Sequence, residues 1–217
     1  MYLPNAFRED RLETLHTLIR SHPLGTLITA GYGGTAGFRG LIANLVPFIL
    51  VGDGDKGTLR AHIARANDQV EALRSGAETL VVFQGPESYI TPSWYAAKKE
   101  HGRVVPTWNY VAVQARGTPR LIEDAAWIHE QIGELTASQE NRRAEPWKVS
   151  DAPEPFILGQ IGAIIGVEIR IVSLEGKWKV SQNRSAADRK GVEEGLRREG
   201  LSEEMARLVA ERTPKPE

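Results

Sequence analysis

The 217-residue chain contains no cysteine, which rules out a disulfide framework and a Cys-ligated zinc site. The expected compartment is a reducing one, the cytoplasm. No apolar run approaches the roughly 18 residues needed to cross a bilayer. The opening residues, MYLPNAFRED, have the character of neither a signal peptide nor a transit peptide. A net charge of −1 gives no electrostatic reason to expect a polyanionic partner. The histidines (His16, His22, His62, His101 and His129) include no pair at metal-ligand spacing, so no metal site is expected. H-E-x-x-H and G-x-S-x-G are absent, and no G-x-G-x-x-G follows a strand pattern. Chemistry in such a chain falls to a bound organic cofactor.

The hydrophobic fraction of 41% and charged fraction of 25% are ordinary for a folded protein of one domain or two small ones. The chain is organised around residues 79–117. Residues 79–83 form a β-branched and aromatic run that should stop at Gly85-Pro86. Tyr89, Ser93, Trp94, Tyr95, Lys98 and Lys99 follow closely. Residues 108–115 alternate as a second strand, with Trp108, Tyr110 and Ala112 on one face and Asn109, Val111 and Val113 on the other. Residues 118–122 can extend it.

Residues 9–21 predict a helix carrying Leu12, Leu15 and Ile19, which His22-Pro23 ends. Residues 24–30 read as a strand and the cluster 31–34 as a turn. Residues 41–51 read as one strand whose Pro47 argues for an edge or a bulge. The turn 52–57 leads to a strand over 58–63. A helix is expected from Asn67-Asp68 to a stop at Gly76, and another over 123–140. Residues 141–155 read as a loop, and 156–164 as a short apolar helix. Residues 167–172 and 177–180 predict a hairpin turning at Glu175-Gly176. From residue 187 the chain reads as a charged helical tail broken at Gly200, with the last five residues fraying. Short strands without regular βαβ alternation predict a mainly β, antiparallel barrel with added helices. The expected division is a barrel domain over 1–185 and a helical tail over 186–217.

Three clusters can carry binding chemistry. His62, Arg65 and Asn67 lie where a strand gives way to a helix, and a guanidinium beside a helix start suits phosphate. The plainer reading is a strand-end histidine and a solvated arginine. Ser93, Trp94, Tyr95 and Lys98, with Trp108 and Asn109, offer hydroxyls, an ammonium and ring faces; the plainer reading is barrel packing beside a wet loop. In the run from Lys177 to Arg184, alternation puts Lys177, Lys179 and Ser181 on one face, where they can hold an anion or simply meet water.

The phrases GPESYITPSWY, VPTWNYVAV and KWKVSQNRS, with HIARAN upstream and MYLP at the start, resemble the PaiB family of FMN-binding negative transcriptional regulators. The resemblance runs from residue 1 to about residue 196. It implies an FMN-binding split barrel, related to pyridoxamine-phosphate oxidases and haem-degrading barrels, that pairs as a homodimer with each flavin between the chains. It also implies FMN-binding residues among His62, Arg65, Asn67, Ser93, Tyr95, Lys98, Trp108, Asn109, Lys179 and Gln182. Arg65 and Lys98 are the expected phosphate ligands with Ser93 as hydroxyl partner, Trp108 and Asn109 lie by the ring, and Lys179 and Gln182 close the site. Two positions depart from the pattern, since Leu45 and Gln114 stand where the family tends to have histidine. DNA contact has weak electrostatic support, because residues 184–212 carry seven basic and seven acidic side chains. The alternatives are a flavin-dependent oxidoreductase acting on a small molecule, and a haem-binding or haem-degrading barrel.

Overall fold

The computed structural model describes residues 1–33, 38–52 and 56–212. In chain order its elements are β1 (Arg8–Glu9), α1 (Leu12–Ser21), β2 (Leu24–Gly33), β3 (Phe38–Pro47), β4 (Ile49–Val51), β5 (Thr58–Ala64), α2 (Gln69–Arg74), β6 (Thr79–Ile90), α3 (Ala97–Glu100), β7 (Thr107–Ile122), α4 (Ala125–Glu140), α5 (Glu154–Gly162), β8 (Ile164–Lys179), α6 (Ala186–Arg198) and α7 (Glu203–Glu211). Hydrogen-bonded neighbours run β3-β2-β6-β7-β8-β5-β4, with β1 on β8. The registered pairs β1/β8, β2/β3, β2/β6, β4/β5 and β5/β8 are all antiparallel. This is the mainly antiparallel, helix-decorated sheet that the alternation predicts.

The chain divides into two compact units. One comprises Met1–Leu18, Gln84–Val113 and Glu175–Glu217; the other comprises Ile19–Phe83 and Gln114–Leu174. In the second unit, β2 pairs with β3 from Leu24 opposite Pro47 to Gly33 opposite Phe38. Gly25 leaves room there, since a Cβ on it would lie 2.8 Å from Phe83 Cε1 and Val81 Cγ1. Pro47, with no N–H to donate, ends β3, and Phe48 separates it from β4. The expected single strand over 41–51 is therefore two, and β3 stands at an end of the strand order, where a proline does least harm. Gly31 to Gly33 continue β2 instead of turning. Residue 34, residues 53–55 of the second predicted turn and the expected fraying of 213–217 lie outside the described residues.

Two further expectations are corrected. β6 runs on through Gly85-Pro86 to Ile90. Its buried alternation lapses over 84–87, just where the chain passes between units, so the turn signal falls on a solvated stretch of strand. β8 likewise runs straight through Glu175-Gly176, so there is no hairpin. Gly176 pairs with Glu9 of β1, and a Cβ on it would sit 2.1 Å from Leu15 Cδ2. This glycine provides closeness, not a turn. Gly76 (φ 69°) and Gly200 (φ 63°) do end α2 and α6 in the left-handed conformation expected of them.

Within the first unit α6 packs on the 3-10 turn Pro92–Trp94. The reason lies in two glycines one helical turn apart. A Cβ on Gly191 would lie 2.0 Å from the Trp94 carbonyl oxygen, and one on Gly195 would lie 2.4 Å from the indole. Met205, Ala206 and Val209 form the buried face of α7, whereas Leu201 is exposed.

Candidate functional site

In the second unit His62 lies on β5, and its Nδ1 is 2.7 Å from Oε1 of the buried Gln131. Three residues on, the Arg65 Nε donates to the Gly162 carbonyl at 3.1 Å, and its NH1 stands 3.7 Å from Glu123. That pairing is long and half-exposed, so the guanidinium keeps donors to offer. Asn67 has a different task. Its Oδ1 accepts the backbone N–H of Gln69 at 2.9 Å and opens α2. Gln69 is fully buried; its Nε2 donates to the Leu27 carbonyl and Thr29 Oγ1, while its Oε1 accepts from Asn44 at 2.9 Å. Asn67 therefore belongs to a polar bracket joining α2 to β2 and β3. Spacing gave no hint of Asn44 and Gln69, because their partners come from distant strands.

In the first unit the Lys98 ammonium donates to Ser93 Oγ at 3.1 Å on the surface. Two links fix that loop. The Asp188 carboxylate of α6 accepts the Ala97 N–H at 3.0 Å, and the Trp94 indole N–H donates to Glu199 at 3.0 Å. Trp108 is 52% exposed and meets Tyr89 edge-on, with centroids 6.0 Å apart. An exposed ring pair and a hydroxyl–ammonium pair thus stand in the same unit. Trp94 is buried against α6 and offers no ring face.

Other predicted residues point inward. Asn109 is 1% exposed and its Nδ2 donates to Ser181 Oγ at 2.9 Å. Gln182 spends both ends of its amide locally: Oε1 accepts from the Val180 N–H and Nε2 donates to the Trp178 carbonyl. Tyr95 is buried beneath the Arg184 guanidinium, which lies 4.9 Å from its ring centroid. Burial raises the Tyr95 pKa; the Arg184 charge opposes that shift and the Asp188 charge adds to it. Lys179 donates to Thr107 Oγ1 and to the Trp108 carbonyl. Burial lowers its pKa, and the neighbouring Lys177 and Arg184 charges lower it further.

The donor set suits a phosphorylated aromatic molecule. Lys98 with Ser93, and separately Arg65, are uncommitted enough to take phosphate oxygens, and the Trp108–Tyr89 pair presents ring surface. Among the described residues no group of three His, Cys, Asp or Glu side chains is arranged to hold a metal. No described helix is long and apolar enough to cross a membrane.

A family model described as "Putative FMN-binding domain" matches residues 1–173. An uncharacterized protein of Aspergillus fumigatus is 36% identical over 256 residues, covering 98% of this chain and 97% of its own. Protease synthase and sporulation protein PAI 2 of Bacillus subtilis is 27% identical over 217 residues, 99% of each chain. Among solved structures, the FAD and haem binding protein from Mycobacterium smegmatis superposes with a TM-score of 0.54 at 16% identity, covering 79% of this chain and 69% of that one. That likeness bears on fold alone, and it bears out the split-barrel class. The chain belongs to the FMN-binding domain family, a PaiB homologue is among its relatives, and its cofactor is a flavin.

Proposed function

We propose that this protein binds FMN and acts as a PaiB-like negative regulator of transcription, as a homodimer with the flavin between chains. The observation that carries the flavin reading is that a surface Lys98–Ser93 pair and an exposed Trp108–Tyr89 ring pair stand in one unit, in a chain of the FMN-binding family. Lys98 with Ser93 in the first unit is one candidate phosphate-binding group, and Arg65 in the second unit is another. Bound FMN supplies a ring that accepts or donates electrons. The regulatory reading rests on the full-length likeness to PAI 2.

Charge argues against the helical tail touching DNA. Arg197 pairs with Glu193 and Glu203, Arg207 with Glu211, Lys190 with Glu194 and Arg212 with Glu9. Regulation in this reading goes through a metabolite or a protein. The homodimer is supported by an apolar face on β2 and β3, where Leu24, Leu41 and Leu45 are exposed on the same side. A cytoplasmic location and a barrel over 1–185 with a helical tail over 186–217 complete the proposal.

The test is the absorbance spectrum of the purified protein, with mass spectrometry of whatever denaturation releases. FMN is the expected product. Arg65→Ala and Lys98→Ala should each weaken its binding by about 1.5–3 kcal/mol, the scale of a charge-assisted hydrogen bond. An unchanged affinity in both folded variants refutes their role. Reduction of the bound flavin by NADH or NADPH, or a Soret band on adding haemin, would instead favour the oxidoreductase or haem reading.

A further inference from the structure

Among the cations of the first unit that form no ion pair with a described residue are Lys177, Lys179 and Arg184. Lys177 is only 7% exposed. Its Nζ donates to the Tyr2 carbonyl at 3.0 Å and lies 5.5 Å from the Tyr2 ring centroid and 5.3 Å from that of Tyr110. Lys179, two residues on and so on the same side of β8, has its Nζ 5.9 Å from the same Tyr110 ring. The Arg184 guanidinium lies over Tyr95. None of the three forms an ion pair with a described residue, whereas Arg11, Arg60, Arg74, Arg120, Arg197 and Arg212 all do. Carbonyls, a hydroxyl and ring faces hold these side chains in position but cancel none of their charge. Holding like charges near one another in half-buried positions is costly unless something negative joins them. Burial lowers the pKa of Lys179, and the Lys177 and Arg184 charges lower it further, so its charged form is disfavoured where it stands.

We infer that Lys177, Lys179 and Arg184 form a binding site for the carboxylate or phosphate of a small molecule other than FMN. This deepens the flavin reading: it names the class of molecule, a small oxyanion, that the flavin protein takes as substrate or effector. An oxyanion supplies the missing negative charge and accepts from ammonium and guanidinium at once, as bulk chloride does not.

The experiment titrates the protein as purified with inorganic phosphate and, separately, with succinate. Chloride holds the ionic strength constant, bound FMN is followed by its fluorescence, and Lys179 and Arg184 are followed by NMR of their side-chain N–H groups. The expected result is a saturable shift of both groups with FMN still bound. Succinate acting alone would mark a carboxylate site, and phosphate acting alone a phosphate site. Lys179→Met and Arg184→Met should each weaken the titration tenfold or more, while the exposed Lys190→Met leaves it unchanged; melting curves confirm that each variant folds. No shift beyond that of chloride overturns the inference, as does unchanged affinity in both variants. Displacement of FMN by phosphate also overturns it, because the cluster would then be the seat of the flavin's own phosphate. If the wild-type protein binds no FMN, the flavin reading fails, and the same titration of flavin-free protein still decides the cluster.

Discussion

Glu9 is a side chain whose replacement by so small a change as Gln should cost this protein measurable stability. It is 3% exposed, yet it is a carboxylate. Its Oε1 accepts the backbone N–H and the Nε of Arg11, both at 2.9 Å, and its Oε2 accepts Arg11 NH2 at 2.7 Å. Oε2 also accepts from Arg212, so one carboxylate ties the end of α7 to the N-terminal segment. Burial alone pushes the Glu9 pKa up, but the Arg11 hydrogen bonds and the Arg212 charge together outweigh it and bring the value from 4.5 down to about 2. A shift of that size corresponds to about 3 kcal/mol. The exposed Arg11 screens part of it, which leaves about 2–3 kcal/mol. Because the folded pKa is depressed, this stability is fully present above about pH 4.5 and is lost as the pH falls toward 2. Glu9→Gln keeps the shape and removes the charge. Urea unfolding followed by tryptophan fluorescence should show the variant about 2–3 kcal/mol less stable at pH 7, with the gap closing by pH 2. A variant within 0.5 kcal/mol of wild type at pH 7, or one with an unchanged pH slope, refutes the reasoning.

Gly195→Val drives branched carbon into the Trp94 indole, where even a Cβ would lie at 2.4 Å, and should cost about 1–3 kcal/mol in the same assay. An unchanged stability would mean that α6 does not seat on that ring. Leu45→Glu adds a charge to a side chain that is 66% exposed, so the folded monomer should tolerate it, while sedimentation at micromolar concentration should show a shift from dimer to monomer. A dimer of unchanged strength would remove the β2–β3 face from the interface.

Alternation made the long strands legible, because a half-buried strand writes its two faces directly into the sequence. Val111, Val113 and Ala115 are buried, whereas Trp108 of the opposite face is exposed. Punctuation residues misled. Gly85-Pro86 and Glu175-Gly176 are turn signals taken locally, but strand pairing and the lack of room beside Gly176 overrode them. The proximity of Lys98 to Ser93 was legible because they are near neighbours in sequence on one surface loop. The hydrogen bonds that Asn109 and Gln182 make within the protein were not, because a polar side chain does not declare which partner it meets. Asn109 meets Ser181, 72 residues away. Glu9 carried no signal at all, since the arginine that completes its pairing lies 203 residues further on.

The two positions where the family pattern has histidine are not equivalent losses. Leu45 lies on the exposed face of β3, so the fold gives up no hydrogen bond and gains nothing buried. Gln114 lies on β7, and its Oε1 is buried with no hydrogen-bond partner among the described residues. Such an acceptor costs about 1–3 kcal/mol while unsatisfied. A side chain that did no more than fill space there would be better apolar. Gln114 thus keeps hydrogen-bonding groups where the family resemblance implies histidine, and Leu45 does not. Position 45 therefore bears on what the β3 face meets, and position 114 on what donates a hydrogen bond to its Oε1 beside β7.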